Sequence, residues 1–93
     1  MILPKDYDKL NGKQRRLVRE EYVLQQDGKC WYCSEKLTNP PRADVLMKPI
    51  NWGLFPPGFM DHPVHLQHDH HTGMTEGAVH SLCNAYLWQY HGR

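Results

Sequence analysis

Cys30-Trp31-Tyr32-Cys33 and His80-Ser81-Leu82-Cys83 carry two pairs of metal-ligating side chains at the same i, i+3 spacing. Each pair places both donors on one side of a tetrahedral ion, and together they supply three sulfurs and one nitrogen, the donor set of a closed structural zinc site. The chain has 93 residues. A domain of that size buries only about 60–65% of its unfolded surface, so a metal that ties two segments together supplies stability the core lacks. Three cysteines are an odd count, which argues against a closed disulfide framework. A redox role for Cys30 and Cys33 is the rival reading. Such pairs normally sit between a strand and a helix, whereas this one follows a helical segment. His62 or His65 could replace His80 as fourth ligand, but only His80 stands three residues from Cys83.

Working outward, the chain divides into four sections. From about Asn11 to Gln26 there is no proline, Leu10, Leu17 and Leu24 recur at heptad spacing, Val18 and Tyr22 widen the stripe, and Asp27-Gly28 ends it. This predicts a helix with its leucines inward and most arginines off the stripe. The first knuckle follows, so helix and knuckle span about residues 11–33. Between about residues 38 and 63, Pro40, Pro41, Pro49, Pro56, Pro57 and Pro63 exclude regular helix, while Trp52, Leu54, Phe55 and Phe59 are too apolar for a disordered linker. An ordered loop wrapping the core is expected. From about residue 64 to residue 91 the pattern reads strand, turn around Thr72-Gly73, strand and closing helix, with Asn84, Trp88 and His91 on one helical face. One domain accommodates all four sections.

Hydrophobic residues make up 40% and charged residues 23%, with a formal net charge of +1. There is no run of roughly 20 apolar residues to span a membrane, and Met-Ile-Leu-Pro is too short for a signal peptide. An intracellular, cytoplasmic protein with reduced thiols is expected. The charges are unevenly placed. Lys13, Arg15, Arg16 and Arg19 crowd a stretch without acids, and all seven histidines lie from His62 onward. The basic stretch, with Lys29, would neutralise backbone phosphates of DNA and give sequence-independent, salt-sensitive binding. Trp31, Tyr32 and Trp52 could stack on exposed bases. Histidines at such density suit metal or proton chemistry. In Gln67-His68-Asp69-His70-His71, strand alternation would place His68 and His70 on one face and Gln67 and Asp69 on the other.

From Gln67 to Asn84 the chain resembles the recombination endonuclease VII branch of the HNH, or ββα-metal (His-Me finger), nucleases of phages. That family's pattern is Asp-His-x-His, two residues and Gly, three residues and Gly, two residues and Cys, two residues and Cys-Asn. Here Gln67-His68-Asp69-His70, Gly73, Gly77, His80 and Cys83-Asn84 stand at those places without a gap. Gly28-Lys29-Cys30-x-x-Cys33 after a helix is similar to the family's first zinc knuckle. His80 replaces a cysteine, a mild change. Gln67 replaces the aspartate that binds the catalytic ion, and a neutral amide is a much weaker ligand for a hard cation.

The resemblance implies a small zinc-stabilised α+β nuclease domain of the ββα-metal type, a hydrolase of phosphodiester bonds. His68 would be the general base, and Asn84, with Gln67 or with Asp69 if the strand bulges, would hold one Mg²⁺ or Mn²⁺. His70, and His65 beside it, would contact the phosphate or orient the base. Products would carry a 5′ phosphate and a 3′ hydroxyl. The partners it brings are DNA, bound through its phosphates, a homodimer, and a packaging partner such as terminase. A zinc-stabilised DNA- or protein-binding module that kept the fold and lost the chemistry is the alternative, and Gln67 is its best support.

Overall fold

The computed structural model describes residues 1–92 as a small α+β fold. Two antiparallel strands, β1 (Val64–His68) and β2 (Thr75–His80), are flanked by three helices: α1 (Gly12–Gln25), α2 (Ala43–Leu46) and α3 (Ser81–His91). One-turn 3₁₀ segments stand at Tyr7–Lys9 and Trp52–Leu54. No described helix is long and apolar enough to cross a membrane.

α1 begins where a capping box allows it. The Asn11 side chain accepts from the Gln14 backbone N–H and the Gln14 side chain accepts from that of Asn11, both at 2.9 Å. It ends through Asp27 and Gly28, both at positive φ. The expected leucine stripe is not the buried face. Leu17 is 43% exposed and Leu24 74%, whereas Val18 and Tyr22, one turn apart, are buried. Tyr22 fixes this rotation, because its hydroxyl bonds Thr75 Oγ1 and Thr75 O at the start of β2. Arg15 and Arg19 therefore turn toward the protein rather than away from it.

The hairpin register pairs Val64 with His80 and Gln67 with Gly77, then shifts, so that His68 pairs with Thr75 and Glu76 is the extra residue. The N-terminal segment closes the other side. Thr75 N donates to Lys5 O and Tyr7 N to Gly73 O, both at 2.8 Å. The proline-rich section is ordered, as expected, but between Pro41 and Pro49 it forms the single helical turn α2, which a proline-free stretch of that length permits. The core is built from Val18, Tyr22, Val45, Ala78, Val79 and Tyr86 around the three cysteines.

Candidate functional site

The two knuckles meet. Cys30, Cys33, His80 and Cys83 are all buried, and their ligand atoms lie within 4.8 Å of one another, a group that could hold a metal ion. Cys30 and Cys33 belong to the turn after α1, His80 ends β2 and Cys83 lies in the first turn of α3, so an ion would tie helix, hairpin and helix together. His80 Nδ1 stands 3.4 Å from Cys33 Sγ and 3.6 Å from Cys83 Sγ. Its Nε2 faces the carbonyl oxygens of Lys36 (2.9 Å) and Asn39 (2.8 Å). Carbonyls only accept, so Nε2 carries the proton and Nδ1 presents its lone pair to the thiols, the outer-shell arrangement typical of a ligating histidine.

The thiols are mutually strained in charge. A hydrogen bond from the Cys83 thiol favours ionised Cys30 and brings it down to about 4, against the cost of burial. That same bond, followed by burial, pushes Cys83 up. Three buried thiolates ionise together only beside a cation, and a Cys₃His set is the chemistry of Zn²⁺. His62 and His65 are not part of this cluster; both line a cleft elsewhere.

That cleft, of about 550 Å³, is the second feature. Arg15, Arg16 and Arg19 of α1 line it together with His65, His68, His70 and Asn84 and with the aromatic side chains of Phe55, Phe59 and Trp88. Asn84 Nδ2 lies 3.0 Å from His65 Nδ1. An amide N–H₂ only donates, so Nδ1 accepts and the His65 proton sits on Nε2. Burial holds His65 below the usual histidine range, with the charges of His62 and Arg19 adding to it. His68 is likewise lowered, first by burial and then by neighbouring His70. The two rings meet edge to face at 4.6 Å.

Tyr7 was not expected here. Its ring stacks on His68 at 3.9 Å with planes 9° apart, and the Arg15 guanidinium covers its other face at 3.8 Å. Arg15 Nε and Nη2 also donate to Tyr7 O at 3.3 and 3.1 Å. Arg15, expected to bind DNA, is thus engaged in holding Tyr7. Nothing in the local sequence marks Tyr7, because its position depends on the return of residues 5–7 to the hairpin turn.

Of the three side chains expected to hold a catalytic ion, only Asn84 reaches the cleft. Gln67 is 1% exposed and directs Nε2 to His68 O (3.1 Å) and toward Glu76 Oε1 (3.5 Å). The hairpin does bulge at Gln67 and His68, but Asp69 does not turn toward Asn84: its Oδ1 accepts from the backbone N–H groups of His71 (2.7 Å) and Thr72 (3.1 Å), shaping the turn. Among the described residues no carboxylate lines the cleft. Imidazoles and one carboxamide do not make the oxygen-rich cage of Mg²⁺ or Mn²⁺.

Lys13 and Lys29 are exposed and lie outside the cleft. Trp31 packs over Gly77, where a Cβ would come within 2.6 Å of its ring, and Tyr32 packs on Tyr86 at 5.6 Å. His91 does not join Asn84 and Trp88 but lies against Tyr86 at 5.3 Å. No protein-family model, no curated protein and no solved structure matches the chain.

Proposed function

We propose that this protein is a zinc-stabilised nuclease of the ββα-metal type that hydrolyses phosphodiester bonds in DNA. One observation carries the reading: a ring-clamped histidine and a row of guanidinium groups line one cleft free of carboxylates, a combination that can bind a phosphate and deliver a proton acceptor to it. Burial keeps His68 unprotonated near neutral pH, as a general base requires. His68 takes a proton from water, the hydroxide oxygen bonds to phosphorus, the P–O3′ bond breaks, and solvent protonates the leaving 3′ oxygen. Arg16 and Arg19 balance charge on the phosphoryl oxygens. His70 donates to the phosphate, and His65 positions Asn84 at the base of the cleft.

The position of Cys83-Asn84 supports this use of the zinc group, since an ion there would fix the first turn of α3 and with it Asn84. Cleavage of end-labelled DNA tests the reading. Products with a 5′ phosphate and 3′ hydroxyl are expected, and a 3′ phosphate with a 5′ hydroxyl would refute cleavage of the P–O3′ bond.

A second reading has one observation in its favour. Buried Gln67 and turn-bound Asp69 leave the cleft without an acid, which suits a zinc-stabilised DNA- or protein-binding module. Binding without cleavage would select it.

A further inference from the structure

The aromatic side of the cleft has no task in a mechanism built on histidines and arginines. Phe55 packs against Phe59 at 4.7 Å and meets Trp88 edge-on at 5.7 Å, with Trp52 beside it at 5.9 Å. Despite these contacts Trp88 remains 44% exposed. The same cleft is lined by Arg19, which has no acidic partner among the described residues, and by Arg16, whose contact with Glu20 is an exposed pair at 3.8 Å that contributes little. The cleft therefore combines partly exposed aromatic side chains with positive charge that is little compensated. Charge selects a polyanion, and the aromatic faces select among polyanions. In a duplex the base faces are stacked on one another and only edges and phosphates are outside, whereas an unpaired strand presents both faces and phosphates within one nucleotide.

We infer that the cleft takes an unpaired DNA strand, with a phosphate between Arg16, Arg19 and His68 and an adjacent base stacked on the wall formed by Phe55, Phe59 and Trp88. This deepens the nuclease reading and rests on it for the role of the phosphate subsite, and it names the substrate class as single-stranded or locally unpaired DNA.

The test is a binding titration by fluorescence anisotropy on zinc-loaded His68→Ala protein, which keeps the strand intact. The probes are a fluorescein-labelled oligo-dT strand, a duplex of equal length and an oligo-rU strand, all at one salt concentration. The single DNA strand should bind at least tenfold tighter than the duplex and no weaker than oligo-rU. Phe55→Leu and Trp88→Leu, which keep apolar volume but remove an aromatic face, should each weaken oligo-dT binding about five- to hundredfold and leave duplex binding unchanged. Zinc content of one ion per chain and an unchanged circular dichroism spectrum establish that each variant is folded. Equal or tighter duplex binding, tighter binding of oligo-rU, or folded leucine variants that bind oligo-dT like the parent would each overturn the inference. Failure of the nuclease reading shows separately, as no cutting by the wild type or undiminished cutting by His68→Ala.

Discussion

The ring of Tyr7 lies flat on the imidazole of His68, centroids 3.9 Å apart and planes 9° from parallel. The contact joins residues far apart in sequence and leaves His68 a narrow choice of orientation, since Arg15 backs Tyr7 and His70 closes on the imidazole from another side. In the proposed mechanism Tyr7 is a positioning residue: it would fix the ring that accepts the proton. Tyr7→Ala should lower kcat for DNA cleavage about three- to tenfold, from the roughly 0.5–1.5 kcal/mol of an aromatic pair, with KM little changed. Tyr7→Phe should restore the rate, because the ring and not the hydroxyl makes the contact.

The depressed pKa of His68 sets the pH profile. A base works only when unprotonated, so the rate should rise with pH through a midpoint below the ordinary 6.5 and then level off. Replacing His70 by Ala removes a charge that lowers His68, and should move the midpoint upward. Initial rates between pH 5 and 8 check both the position and the direction.

Removing zinc should unfold the chain. Structural zinc binding contributes on the order of 10–16 kcal/mol, against a net stability of about 5–15 kcal/mol for a domain, so the metal-free protein cannot keep its fold. Circular dichroism with a zinc chelator should show loss of helix, reversed by Zn²⁺ but not by Mg²⁺. His80→Ala should reproduce the loss, and His80→Cys should retain one zinc per chain.

Gly77 has a steric role. A Cβ there would stand 2.6 Å from Trp31 Cγ and 2.8 Å from Gln26 Oε1, and Gln26 itself bonds Ala78 N and O. Gly77→Ala should cost about 1–3 kcal/mol in urea unfolding, as overpacking does. Adding Trp31→Ala should recover part of it.

Arg16 and Arg19 should act through phosphates. Each substitution by Ala is expected to weaken single-strand binding and reduce the slope of log affinity against log salt by about 0.7. Lys13→Ala, outside the cleft, should change neither.

Much of this architecture is legible in the sequence, and the boundary between what is and is not legible follows sequence distance. The two knuckles and the limits of α1 can be read because their signals are local: i, i+3 ligand spacing, an Asn11–Gln14 capping box and the Asp27-Gly28 stop. The buried face of α1 cannot, since Leu17 and Leu24 satisfy a helical period as well as Val18 and Tyr22 do, and the choice is made by the distant Thr75. The departure of Gln67 and Asp69 from the cleft is decided by the bulge and the side-chain-capped turn, two features that alternation alone overlooks. Tyr7 and the Phe55–Trp88 wall are wholly non-local.

The measurement closest to the central claim is cleavage of supercoiled plasmid by zinc-loaded protein, wild type beside His68→Ala, with Mg²⁺ or Mn²⁺ added. The expected result is conversion to nicked circles by the wild type and a loss of at least a hundredfold in the variant, both carrying one zinc per chain. Equal cutting by the two proteins, or none by either, would contradict a nuclease whose base is His68.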